Sequence, residues 1–302
     1  MVRTVVAGID GSSESNAAAQ WAAREAQLRG LPLTLVHVWQ PVPEPMAQAP
    51  LLGAETQAHW SERIPRETAE GLRLRHPGVE ITQRQLTGTP ADVLADAAQD
   101  AELLVLGSRA LSGLGGFLVG SVGLAAVAHT DVPVVLVRAG KQAAADEHVA
   151  DPAGTPSAAA PYRPVVLGLD VARPDDAVLD FAFEEADRRG TALRVVHAWT
   201  LAPYYVYSLP AAPEVGAELG RQEAAALAEV LLPWRTKYPD VEVVEISRLG
   251  SAADLVLDAA REASLVVVGR RIRRNPLGAH IGPVAHAVLH HSAAPVAVVA
   301  HP

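Results

Sequence analysis

Residues 103–122 read LLVLGSRALSGLGGFLVGSV, and three successive signals in that stretch decide the fold. The apolar run Leu103 to Leu106 has the length and composition of a buried strand and is bounded by Gly107. Gly113, Gly115, Gly116 and Gly120 then make a glycine-rich turn. Ser121 opens a helix, SVGLAAVAHT, with Val122, Ala125, Ala126 and His129 at helical spacing. A strand, a glycine-rich loop and a helix start, in that order, form a phosphate-binding device. Glycine lets the backbone come close to an anion, and the free N–H groups of the first helical turn point toward it.

The chain carries this device twice. LVVVGRRIRRNPLGAHIGPVA at 265–285 aligns with it, with Gly107 and Gly269 standing 162 residues apart, as do Gly120 and Gly282. Working outward, TVVAGIDGS at 4–12 matches PVVLGLDVA at 164–172 with an offset of 160, placing Asp10 and Asp170 at the ends of two buried first strands. A helix follows each. ESNAAAQWAAREAQLRG is capped by Ser12 or Ser13 and closed by Gly30, and RPDDAVLDFAFEEADRRG has Pro174 in its first turn and ends at Gly190.

Second strands are LTLVHVW at 33–39 and LRVVHAW at 193–199. Irregular proline-rich segments come next, then helical patterns at 54–75 and 214–238, in which Pro65 and Pro233 predict kinks or breaks. Third strands are expected at 79–86 and 241–249, followed by amphipathic helices entered through Gly88 and Gly250. Each half closes with a strand after proline, VPVVLV at 132–137 and APVAVV at 294–299. Residues 140–162 lack periodicity and are rich in Ala, Pro and polar residues, as a linker is.

The reading is two tandem doubly wound parallel-sheet (Rossmann-like) α/β domains of five strands each, 1–140 and 162–302, joined by a linker at 141–161. Ligands of such sheets bind beyond the carboxyl ends of the strands, at the switch point. Asp10, Val38 and Gly107 all fall there.

A length of 302 residues suits two domains. A net charge of −9 argues against a nucleic-acid partner, which calls for a basic face. The absence of cysteine excludes disulfides and thiolate metal sites and fits a cytoplasmic protein. No secretory signal is visible, since the apolar run after Arg3 stops at Asp10. Residues 110–128 carry no charge over a length near that of a membrane span, but five glycines, and the arginines of the repeat copy, speak against one. No membrane or nucleic-acid partner is expected.

These residues resemble the universal stress protein family in its tandem two-domain form. Its nucleotide-binding members carry a glycine, two residues, a glycine, nine residues, then a glycine and a small hydroxyl residue. Gly107, Ala110, Gly120 and Ser121 stand at that spacing, with Ala110 in place of the second glycine. The GID run, the VHVW run and the VPVVLV strand are similar as well. The resemblance implies that Gly8, Ile9, Asp10 and Val38 line the adenine and ribose side of a site for ATP, and that Gly107, Arg109, Gly120, Ser121 and Val122 hold its phosphates. Physical chemistry agrees for the latter group: a helix start offers unpaired N–H groups, Ser121 a hydroxyl and Arg109 a fixed charge. Asp10 could accept from ribose hydroxyls or hold a hydrated Mg2+, or cap the next helix. A positive φ at Ala110 would strain alanine by about 1 kcal/mol and weaken binding.

In the second half the corresponding positions are Asp170, Ala198, Gly269, Arg271 and Gly282. Ile272 replaces the second glycine and Pro283 the serine, and proline removes one N–H and the hydroxyl. Arg270, Arg271, Arg273 and Arg274 add charge there, either as a phosphate clamp or as a solvated basic loop. His286 and His290 have the i, i+4 spacing of a metal pair, but no Glu or Cys completes a zinc site, so surface histidines are the reading. His37 and His197 recur at one strand position, which favours packing, as it does for Trp39 and Trp199. Tyr204, Tyr205 and Tyr207 could stack on a base. No nucleophile–base pair, nucleophile elbow or P-loop is present, so an enzyme with more than slow ATP hydrolysis is not expected.

The expectation is therefore a cytoplasmic ATP-binding stress-response regulator. Its edge strands 132–137 and 296–299 would pair the halves as an internal pseudo-dimer, and the same logic extends to a homodimer. The competing class is a nucleotide-free interaction scaffold on the same fold.

Overall fold

The computed structural model describes residues 3–39, 54–110, 117–118, 120–139, 147–149, 160–201, 213–272 and 281–302. The chain separates into two compact units, the first comprising Met1–Ala143 and the second Ala144–Arg271 with Ile281–Pro302. Each repeats the same alternation of strand and helix.

The first unit contains β1 (Val5–Ile9), α1 (Ser13–Arg29), β2 (Leu33–Trp39), α2 (Ala54–Arg75), β3 (Ile81–Thr87), α3 (Pro90–Ala97), β4 (Leu103–Ala110), β5 (Phe117–Leu118), α4 (Ser121–His129) and β6 (Val134–Arg138). Five strands form a parallel sheet in the order β3-β2-β1-β4-β6. The chain winds one way from β1 to β3, then crosses back to β4, so the switch point lies between β1 and β4. Consecutive residues Val5, Val6 and Ala7 are all buried, which requires cover on both faces of the sheet. The cover comes from α1 and α2 on one face and α3 and α4 on the other. The contact face of α1 is mostly alanine (Ala18, Ala19, Ala22, Ala23, Ala26) around the fully buried Trp21, which lets the helix lie close to the sheet.

The second unit contains β7 (Val165–Gly168), α5 (Asp176–Arg189), β8 (Leu193–Trp199), α6 (Pro213–Lys237), β9 (Val243–Leu249), α7 (Ala252–Ala260), β10 (Leu265–Arg271), α8 (Pro283–His291) and β11 (Val296–His301). Its parallel sheet runs β9-β8-β7-β10-β11, the same topology strand for strand. The expected two five-stranded doubly wound sheets are what the structure has.

The duplication extends to buried charge. Glu25 and Arg29 pair at 2.6 Å one turn apart on α1, with both side chains almost fully buried. Glu185 and Arg189 repeat the pair 160 residues later on α5. Arg29 also lies 3.6 Å from Glu102, and Glu185 also pairs with Arg188 at 3.0 Å, so each buried pair belongs to a small charge network.

Several local expectations need correction. Gly107 does not end its strand: β4 continues to Ala110. The third strands start two residues later than expected, at Ile81 and Val243. Neither Pro65 nor Pro233 breaks its helix; α2 and α6 each run through it as one element. Pro65 is buried, so packing compensates the lost backbone bond. Pro174 lies before α5 rather than in its first turn, because Asp175 is the N-cap and its side chain accepts from Ala177 N. Within the expected linker, Glu147 and His148 are buried in the second unit. Arg163 N donates to Glu147 O at 2.9 Å, Val149 N to Pro161 O at 2.8 Å, and the His148 ring sits 4.2 Å from that of Tyr162.

Candidate functional site

At the switch point of the first unit lies a cavity of about 500 Å3, within the usual size range of small-ligand sites. Its walls come from six elements. Strand ends contribute Gly8, Ile9 and Asp10 after β1, Val36 and Val38 from β2, and Leu106 and Gly107 from β4. Helix starts contribute Ser12, Glu14 and Ser15 at α1, Pro90 and Leu94 at α3, and Gly120, Ser121, Val122 and Gly123 at α4. Three helix N-termini thus converge on one space, and each brings the positive end of its dipole.

The start of α1 is held by a short chain of hydrogen bonds. Ser12 Oγ accepts from Ser15 N at 3.1 Å, which makes Ser12 the N-cap. The same hydroxyl donates to Asp10 Oδ1 at 2.5 Å, and Ser12 N donates to that oxygen at 2.9 Å. Asp10 N donates to Ser15 Oγ at 3.2 Å. Asp10 is therefore not the cap. It is an exposed carboxylate aimed by the cap, with Oδ1 bound to Ser12. Behind it, His37 Nδ1 bonds Ile9 O at 2.9 Å and fixes the end of β1 from the neighbouring strand. His197 repeats the contact with Leu169 O at 3.4 Å, in keeping with a shared structural role.

Gly107 and Gly120 are glycines for different reasons. A Cβ on Gly107 would lie 2.5 Å from Glu14 C, 2.7 Å from Glu14 O and 2.8 Å from Ser15 N. The glycine admits the first turn of α1 against β4, and a side chain there would collide with backbone. Gly120 is the N-cap of α4 at φ −59° and ψ 155°, a conformation open to any residue. A Cβ there would meet no described atom within 4 Å. Neither packing nor backbone conformation calls for glycine at Gly120, and the space that a methyl group would fill lies at the cavity wall. Beyond it the N–H groups of Ser121, Val122 and Gly123 have no intrahelical acceptor, since the first helical bond runs from Leu124 N to Gly120 O. The donor set and the open space together fit an anionic group.

Of the residues expected at the first site, Gly8, Ile9, Asp10, Val38, Gly107, Gly120, Ser121 and Val122 all line this cavity. Arg109 is part of β4, its backbone opposite Leu118 in the two-residue antiparallel pair with β5, and its side chain lies outside the described residues. Ala110 is also in the strand, and no non-glycine residue among those described has positive φ. The strain expected of alanine at that position is therefore absent. The glycine turn at 113–116 and Tyr204, Tyr205 and Tyr207 lie outside the described residues. Ser12, Glu14, Ser15, Val36, Pro90, Leu94, Leu106 and Gly123 line the cavity without having been expected there from sequence. The signal for most of them is the rule that helix starts and strand ends gather at the switch point.

The equivalent positions of the second unit are arranged otherwise. Asp170 accepts from Ala172 N at 3.2 Å through Oδ1 and pairs with Arg173 at 3.2 Å through Oδ2, so both oxygens are engaged. Pro283 occupies the first helical position of α8 and removes its N–H. Gly282 has the open space of Gly120, whereas a Cβ on Gly269 would lie 2.9 Å from the His301 ring. Ala198 is half-buried beside Arg248 of β9, and Arg271 is half-buried at the end of β10. Arg273 and Arg274 lie outside the described residues.

Two matching halves, each with a glycine-fronted helix start at the switch point, agree with what sequence comparison finds. The profile described as the universal stress protein family matches residues 1–138 and again 161–300. The chain belongs to the universal stress protein family. A universal stress protein of Mycolicibacterium smegmatis is 32% identical over 304 residues, covering 98% of this chain and 96% of that protein. One from Mycobacterium tuberculosis strain H37Rv is 33% identical over 309 residues, covering 97% and 96%. Among solved structures, a universal stress protein from Archaeoglobus fulgidus superposes with a TM-score of 0.69 over 99% of this chain and 98% of that one, at 16% identity. The universal stress protein fold is thus present twice, in tandem. Among the described residues no helix is long and apolar enough to cross a membrane.

Proposed function

We propose that the first unit binds an adenine nucleotide, ATP with or without Mg2+, and that occupancy regulates a cytoplasmic stress response, with hydrolysis slow if it occurs. The observation that carries this reading is the cavity at the switch point, where the Gly120 cradle leaves room that only a ligand would use. Val36, Val38, Pro90, Leu94 and Leu106 offer an apolar wall for a base. The α4 start offers N–H donors and the Ser121 hydroxyl to phosphate, while Asp10 presents a carboxylate to ribose hydroxyls. Asp10 and Glu14 are the carboxylates of the wall able to hold a hydrated Mg2+. The group that ATP supplies is its charged phosphate chain; the protein's part is to bind, orient and report it. On this reading the site acts as a sensor of nucleotide.

The second unit supports a different reading. Asp170 is tied to Arg173 and Pro283 lacks the N–H, which favours a nucleotide-free domain used for its surface. On this proposal the two domains are 1–140 and 162–302, joined by 141–161, and whole chains associate as homodimers. Calorimetric titration of ATP with Mg2+ tests the nucleotide site. The reading expects saturable binding that Asp10→Ala weakens while the melting temperature is kept; absence of binding up to millimolar ATP overturns it. Light scattering after gel filtration tests the dimer.

A further inference from the structure

We propose that His286 and His290, one turn apart on α8, chelate a borderline divalent cation of the zinc(II) class. Residues at i and i+4 share a helix face, and here the two imidazole rings sit with centroids 4.4 Å apart, tilted by 40°. Zinc–nitrogen bonds are about 2.0–2.1 Å, so turns about the side-chain bonds bring one nitrogen of each ring to a common ion. The helix beneath is intact: His286 N donates to Gly282 O, and Ser292 N donates to Val288 O, each at 2.9 Å. The scaffold under the pair is therefore rigid.

Imidazole pairs suit zinc, copper and nickel rather than calcium or magnesium. His290 lies in the last turn of the helix, whose negative dipole end favours a bound cation. Among the described residues there is no cluster of three or more metal-ligating side chains. The site is bidentate, completed by water at the exposed His286 side, and exchanges its metal.

The chain's own repeat separates this role from packing. In α4 the matching positions are Leu124, Ala128 and His129. His291 therefore has a counterpart in the first copy and meets whatever the helix end requires of a basic residue. His286 and His290 are additions of the second copy only, at positions that the same fold fills with Leu124 and Ala128.

The test is calorimetric titration of Zn2+ into the full chain in metal-free, non-chelating buffer, with Mg2+ as comparison. The expected result is one saturable zinc per chain, with affinity falling at least tenfold in His286→Gln and in His290→Gln. His291→Gln, whose side chain leaves the helix about 100° from His290, stays within twofold. His286 is exposed, so His286→Gln keeps the fold and decides the matter even if His290→Gln is unstable. Absence of saturable zinc binding, unchanged affinity in His286→Gln, or an equal loss in His291→Gln overturns the proposal.

Discussion

Gly120→Ala separates ligand binding from folding. Alanine adopts φ −59° and ψ 155° without strain, and its methyl group would touch no described atom within 4 Å. Alanine is a poorer N-cap than glycine, so the fold loses at most about 1 kcal/mol, a fall of about 2–4 °C in melting temperature for a protein unit of this size. On the proposed binding mode the methyl group stands in the approach to the N–H groups of Ser121, Val122 and Gly123, which line the same cavity. Holding a phosphate out of reach of one charge-assisted hydrogen bond costs about 1.5–3 kcal/mol, or about tenfold to a hundredfold in affinity. The assay is ATP titration by calorimetry beside a thermal melt of the same preparation. The reasoning predicts a large loss of affinity with a nearly unchanged melt. Affinity within twofold of the parent protein refutes it, as does a loss of binding that merely follows unfolding.

The contrasting substitution is Gly107→Ala, whose Cβ would meet Glu14 and Ser15 backbone at 2.5–2.8 Å; overpacking of this kind predicts a loss of about 1–3 kcal/mol in urea unfolding, and a neutral result would show that α1 does not press on β4. In the second unit, Asp180 Oδ1 accepts from Tyr238 Oη at 2.7 Å and pairs with Lys237. Burial pushes that carboxyl up, but the hydrogen bonds from Lys237 and Tyr238 and the charges of Lys237 and Arg188 outweigh it and hold it below its ordinary value of 3.8. Its contribution is therefore present above pH 3.8 and lost as pH falls through the lower folded value; in unfolding curves Asp180→Asn should be less stable than its parent at pH 7, and the difference should shrink as pH falls below 3.8. Burial, then the bond to Asp180, pushes the Tyr238 hydroxyl from 10.0 up to about 12. The folded state holds that proton more tightly, so stability falls as pH rises from about 10 toward about 12, and Tyr238→Phe should lose less stability over that range in the same measurement.

The topology could be read from the duplication because the signals were periodic and repeated: alternating buried strands and helices, two terminal aspartates 160 residues apart, and two glycine pairs 162 apart. What escaped was set by contacts between distant elements. Gly107 looked like a strand terminus because glycine usually punctuates; it lies within β4 because the first turn of α1, some ninety residues earlier, presses on it. Pro65 looked like a break, yet it is a buried part of a continuous helix, where packing outweighs a local rule. Ala110 departed from the glycine spacing, and only the extended backbone explains why alanine fits. In the site, the strand-end residues were legible. Pro90 and Leu94 were not, because their part in the wall depends on where α3 begins over β1, and Gly88 marks only the turn before it. Ser12 was legible as a cap but not as the group that aims Asp10, since that requires the observed turn geometry.

The most direct test of the central claim is to denature freshly purified protein and quantify the adenine nucleotide released per chain, with an ATP-loaded and desalted sample alongside. The account predicts close to one equivalent, held by the first unit and absent from Gly120→Ala. Zero equivalents in both samples, or an equivalent that survives Gly120→Ala, would contradict it.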